Sequence, residues 1–261
     1  MIGSRALLAC LPGLLAVPLL AQPQIGGGTC SSASVNGTYS VSLTGRDVTP
    51  SVTFTNVEYA VGSVTFDGLS KVTLNLTTAS AKFSESPQTF GGTYTMQSNC
   101  VGTVTITSGD TASYTLQSYN NGKDYLMVGQ NGTYSISLSG SVLPATCPAS
   151  IPAQTYSFNG NGFNLASSQI SGAFNISGLL TISAPNSISF TSFYTSPTGP
   201  VTLSASGTYT VGANCTGTAT LQDSTGVFYY VAFELTSAAG ANFTFVSESS
   251  HSLILASGRA L

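Results

Sequence analysis

A chain of 261 residues with 42% hydrophobic and only 6% charged residues has ample material for packed cores and little charge to solvate it. Its formal net charge of −3, from 6 basic and 9 acidic residues, argues against nucleic acid and against a polybasic membrane-surface role, because phosphate is neutralised by clustered Lys and Arg. The 13 Phe and 12 Tyr argue against disorder, and Ser, Thr, Asn and Gly carry the polarity instead.

Residues 1–21 read as a secretory signal peptide. Arg5 supplies the positive start, Ala6 to Leu20 is an apolar stretch broken by Pro12, Gly13 and Pro18, and Leu19-Leu20-Ala21 before Gln22 offers a cleavage site. That stretch is short for a membrane helix, which needs ~20 apolar residues. The expectation is an exported protein, secreted or held at the cell surface, with no integral membrane span in the mature chain. The short signal suits a bacterium. Residues 22–29 form a flexible lead.

From Cys30 onward the polarity alternates. Tyr39, Val41 and Leu43 point one way while Ser40, Ser42 and Thr44 point the other. Val72, Leu74 and Leu76 alternate with Thr73, Asn75 and Thr77. Period two with one apolar face is the pattern of a half-buried β-strand, and Thr, Val, Tyr and Phe suit it. Turn signals arrive at Thr44-Gly45-Arg46-Asp47, Phe66-Asp67-Gly68, Ser84-Glu85-Ser86-Pro87, Ser108-Gly109-Asp110 and Asn120-Asn121-Gly122-Lys123. Asp-Gly and Asn-Gly accept the positive φ of tight hairpins.

The whole pattern then repeats. Cys30-Ser-Ser-Ala-Ser-Val-Asn-Gly-Thr-Tyr39 aligns on Cys147-Pro-Ala-Ser-Ile-Pro-Ala-Gln-Thr-Tyr156. Gly92-Thr-Tyr-Thr-Met-Gln-Ser-Asn-Cys100 aligns on Gly207-Thr-Tyr-Thr-Val-Gly-Ala-Asn-Cys215. The chain therefore divides into unit one (residues 30–143), a linker (144–146) and unit two (147–261). A shorter likeness, Asn36-Gly-Thr-Tyr to Asn131-Gly-Thr-Tyr, is read as the first and last strands of one unit doing similar jobs, as neighbours in a closed barrel. Each unit holds eight or nine strands and no helix. The expected fold is all-β: two tandem antiparallel β-barrels of about eight strands each, with two β-sandwiches as the alternative. Closure is favoured because so few charges are available to guard open strand edges.

Once Cys10 leaves with the signal, four cysteines remain at matching places, Cys30 and Cys100 separated by 70 positions, Cys147 and Cys215 by 68. Three pairings are open to four cysteines; the duplicated unit favours Cys30–Cys100 and Cys147–Cys215, in an oxidising compartment. A metal site is discounted because there is no Cys-x-x-Cys pair and only one His. No cofactor is expected.

The pattern Gly-x-Tyr-x-x-x-x-x-Cys-x-Gly at 92–102 and 207–217, with Gly62-Ser-Val-Thr-Phe-Asp-Gly68 and the closing Gly-Ser or Gly-Arg strand of each unit, resembles exported bacterial proteins of the allene oxide cyclase barrel-like group. The resemblance implies a calycin-like eight-stranded barrel with an apolar interior. It does not carry cyclase chemistry: no position here matches that enzyme's catalytic carboxylate, and unit two has Ser183 where unit one has Asp67.

Few residues offer chemistry. His251 has no acid or nucleophile held near it by any motif and reads as a solvated turn residue, with Glu248 and Ser249 as the partners a functional reading would need. No Gly-x-Ser-x-Gly elbow, Ca²⁺ loop or phosphate-cradling loop occurs. None of the nine acids recurs in the other unit: Asp110 aligns on Thr225, Asp223 on Ser108 and Asp124 on Asn242. Glu58 and Glu234 lie in strand-like runs and are the candidate cavity carboxylates, although their origin in different units would require an inter-barrel cleft. The Asn-x-Ser/Thr triplets are compositional. The expected function is that of an exported, non-enzymatic extracellular or cell-surface binding or structural module, with a glycan, a matrix or a small apolar ligand as candidate partners. Alternatives are a carrier of a small apolar ligand inside the barrels and an enzyme with a cavity carboxylate.

Overall fold

The computed structural model describes residues 29–47, 57–80, 87–131, 134–166, 169–184, 186–196 and 199–261. The signal segment, the lead up to Gly28 and most of the turn Ser84-Glu85-Ser86-Pro87 lie outside the described residues.

Two closed barrels of eight antiparallel strands follow one another, rather than two sandwiches. In the first, β1 (Asn36–Asp47), β2 (Val57–Asp67), β3 (Lys71–Ser80), β4 (Pro87–Met96), β5 (Val101–Ser108), β6 (Ala112–Tyr119), β7 (Asp124–Asn131) and β8 (Tyr134–Ser141) pair in chain order, and β8 returns to β1. The second repeats this with β9 (Thr155–Ala166), β10 (Gln169–Ala184), β11 (Ser187–Ser196), β12 (Gly199–Val211), β13 (Thr216–Asp223), β14 (Phe228–Leu235), β15 (Asn242–Glu248) and β16 (Ser252–Ala260), closed by β16 on β9. The tyrosines of the two Asn-Gly-Thr-Tyr sequences, Tyr39 and Tyr134, do lie in adjacent strands, β1 and β8.

Alternation sets which side chains fill each barrel. Along β3, Val72, Leu74 and Leu76 are buried while Lys71, Thr73 and Asn75 are exposed. Apolar residues thus face inward and hydroxyls outward, the reverse of a barrel built to sit in lipid. In the first core Phe66 meets Tyr39 and Tyr94 edge-on, with ring centroids 5.7 and 4.9 Å apart.

The residues kept by the repeat close one end of each barrel. Both expected disulfides form, Cys30–Cys100 and Cys147–Cys215, each with Cα atoms 5.0 Å apart. They hold the segment before the first strand across the barrel end, burying Val35 in one unit and Ile151 in the other. The Tyr94 hydroxyl donates to the Ser32 carbonyl at 2.9 Å, and Tyr209 donates to that of Ile151 at 3.4 Å. The Gly of the repeated Gly-Thr-Tyr has an equally local reason. A Cβ at Gly92 would strike the Thr105 carbonyl, and one at Gly207 that of Thr220. Gly207→Ala is therefore expected to force β12 from β13 and cost about 2 kcal/mol, measured by urea unfolding.

The barrels meet along a side-by-side seam. Val57, Tyr59 and Val61 on the outer face of β2, with Ala79 on β3, pack against Phe163, Ala232, Val246 and Leu253 of the second barrel. Arg46 lies 6.0 Å from the centre of the Phe163 ring.

Candidate functional site: a hollow first barrel

The two interiors differ. Between its described residues the first barrel leaves a cavity of about 220 Å³, open at the end opposite its disulfide, whereas the space left inside the second is about 40 Å³ and wholly apolar at its walls apart from Ser247. Register shows where the two interiors differ. β1–β2 pairs Val41 with Gly62, and β9–β10 pairs Phe158 with Gly178, so Val41 and Phe158 are equivalent, as are Glu58 and Phe174. The same comparison sets Leu74 against Phe190, Leu116 against Phe233, Met127 against Phe245 and Ala112 against Tyr229. At each of these places the second unit carries the bulkier, aromatic side chain, while the first is bulkier at Leu76 against Ser192, Phe90 against Ala205 and Tyr114 against Val231.

The cavity wall is mostly aliphatic, with Leu43, Leu76 and Ile136 among its residues, but its polar groups converge. Glu58 shares its inward face with Ala60, Val64 and Phe66 of β2. Its cross-strand partner is Gly45, which leaves the carboxylate room beside the β1 backbone. Asp110 enters from the β5–β6 hairpin, and the nearly buried Tyr114 from β6. Burial, and then the Asp110 charge, push the Glu58 carboxyl above its usual range. Burial followed by both carboxylates pushes the Tyr114 phenol up to about 12. Among the described residues no Lys, Arg or His lines this space, so the charges they bring to it are negative.

Glu234 is elsewhere. It does not line either cavity: β14 turns Val231, Phe233 and Leu235 inward and Glu234 outward, where the seam buries it completely. Between the Tyr39–Val142 bridge and the Ser42–Ser139 pair the β1–β8 ladder is broken, and Glu234 Oε2 accepts the Val41 N–H there at 3.1 Å. Its Oε1 is buried without a partner. Burial raises its pKa to about 9. The two candidate carboxylates therefore share no site.

Asp67 and His251 do local work. Asp67 caps the β2–β3 turn by accepting the Leu69, Ser70 and Lys71 amides, which hold its pKa down. His251 is exposed and its Nδ1 lies 2.9 Å from Ser250 Oγ, while Ser249 Oγ accepts the His251 and Ser252 amides. Neither contact makes an acid–base pair. The offset of 115 from Cys100 to Cys215 would bring Asp110 onto Thr225, but the β13–β14 hairpin is two residues longer, so Asp110 and Asp223 serve the same hairpin. Asp223 bonds the Tyr229 hydroxyl at 3.1 Å, closing by a bond the space that stays open in the first barrel. Asp110 and Tyr114 were not singled out in the sequence because their significance depends on where a hairpin ends.

Fold and site together define an all-β protein of two closed eight-stranded barrels, one hollow and one filled. No family model and no curated protein matches the chain. It is similar to the crystal structure of a protein of unknown function from the DUF3598 family of Nostoc punctiforme, at 10% identity over 89% of this chain and 99% of that one, with a TM-score of 0.27.

Proposed function

We propose that this is an exported, non-enzymatic binding protein whose first barrel receives a small, mainly apolar ligand with a cationic or hydrogen-bond-donating head, and whose second barrel is a packed support. The carrying observation is the contrast between a hollow and a filled interior built on one plan. An apolar cavity of about 150 Å³ suffices to hold benzene, and drug-sized ligands occupy roughly 300–1,000 Å³, so a space between these limits suits a single ring or short chain. Glu58 and Asp110 supply the preference for a donor head. The calycin-like resemblance is in keeping with this reading, and the two disulfides with export.

The test is thermal stabilisation of the protein by 2-phenylethylamine, ethylbenzene and 3-phenylpropionate. The amine should stabilise most and the acid least. Ala112→Tyr, which installs the residue of the filled barrel, should abolish the effect, and Glu58→Gln should erase the preference for the amine. Equal indifference to all three compounds would sink the proposal. A second reading, proton transfer by Glu58, is favoured by the raised pKa of that carboxyl beside Asp110 and Tyr114. Turnover of a bound ester or enol that Glu58→Gln removes would select it over simple binding.

A further inference from the structure

The outer face of the second barrel carries an open groove across β9, β10 and β11, and its chemistry differs from that of the cavity. Outward positions of neighbouring strands bring three asparagines together: Asn161 pairs with Asn175 across β9–β10, and Asn159 with Ser177. Ser177 in turn stands opposite Phe193 on β11. All five side chains are exposed, and Phe193, an apolar ring, is 55% exposed.

Several occupants are poor fits. The groove holds no Lys or Arg, which disfavours nucleic acid and anionic lipid, and no Asp or Glu, which disfavours a cation. The barrel is closed, so no free strand edge invites an added peptide strand. The groove offers amides that both donate and accept, hydroxyls beside them, and one ring face. Amide pairs can bridge adjacent hydroxyl groups of a ligand, while a ring covers a C–H face that water hydrates poorly. An uncharged polyhydroxyl chain matches every one of these features.

We infer that this groove is a binding site for a neutral oligosaccharide, stacked on Phe193 and hydrogen-bonded by Asn159, Asn161 and Asn175. The site is independent of the cavity, since a hexasaccharide is too large to enter it.

The experiment is an NMR titration of the full secreted protein with maltohexaose, cellohexaose and chitohexaose. At least one should give saturable shifts at the Asn159, Asn161 and Asn175 side-chain amides. Phe193→Ala should weaken that binding about tenfold with the melting temperature unchanged, because the ring is half in solvent. Tyr230→Ala is the control: with Phe228 it forms another exposed aromatic pair, ring centroids 6.5 Å apart, outside the groove. Its removal should leave binding intact. Absence of saturable shifts with all three sugars, shifts centred on Phe228 and Tyr230, or undiminished binding by Phe193→Ala would each overturn the assignment.

Discussion

Glu234→Gln is expected to stabilise the protein at neutral and alkaline pH, with a gain that grows between about pH 4.5 and 9 and is absent below that range. A glutamate carboxyl ordinarily titrates at 4.5, and burial lifts the value of Glu234 in the folded protein to about 9. In that window the folded protein binds a proton that the unfolded chain has released, so stability falls as pH rises. At pH 7 the penalty is about 3 kcal/mol, taking 1.36 kcal/mol per unit. Glutamine keeps an oxygen for the Val41 N–H and cannot ionise. The added amide N–H groups of Gln take over the place of the unpartnered Oε1 and cost part of the gain.

The groups around Glu234 sharpen this prediction. Tyr125 is wholly buried and its hydroxyl donates to the Ser40 carbonyl at 2.9 Å, beside the same ladder break, with Glu234 contributing to its raised pKa after burial. Glu248 and Glu58 are also raised by burial, so they tilt the wild-type curve in the same direction. The difference between wild type and Glu234→Gln isolates one group. Chemical denaturation of both proteins from pH 5 to 9 measures it, and a constant difference across that range would contradict a neutral carboxyl in the seam.

How much of this was readable beforehand depends on the scale of the cause. Strand number, closure and both disulfides follow from local signals: alternation, turn glycines and a cysteine spacing repeated in two units. The glycine and tyrosine of Gly-Thr-Tyr recur because a carbonyl passes too close for a Cβ and because a plug segment needs a hydroxyl donor. The seam left a signal too. Apart from Glu58 and Glu234, Val57-Glu-Tyr-Ala-Val61 and Val231-Ala-Phe-Glu-Leu235 are apolar on both faces, the pattern of strands covered on both sides, and alternation alone disguises it. Reading Glu234 as a cavity residue followed from expecting one buried face per strand. The hollow interior was hidden for a different reason: it arises from several modest size differences that can be compared only once register fixes which residues are equivalent.

Removing either disulfide should cost roughly 3–4 kcal/mol, since each closes a loop of 70 or 68 residues and chain entropy sets that scale. The two double variants, Cys30→Ala with Cys100→Ala and Cys147→Ala with Cys215→Ala, should differ in what else they release. In the first barrel the plug keeps a second tie, the 2.9 Å bond from Tyr94 to Ser32, and the Tyr39 hydroxyl secures the facing turn by donating to the Gly122 carbonyl at 2.6 Å. In the second barrel the corresponding tyrosine bond, Tyr209 to Ile151, is 3.4 Å long, and the Tyr156 hydroxyl of β9 donates to the Pro152 carbonyl at 3.1 Å, a tie only to the strand that directly follows the plug. Hydrogen exchange after loss of the second bridge should therefore spread through residues 147–155, while loss of the first should leave Val35 and its neighbours more protected. Equal exchange in both plugs would mean that the tyrosine hydroxyls contribute nothing and that sulfur alone closes the barrel ends.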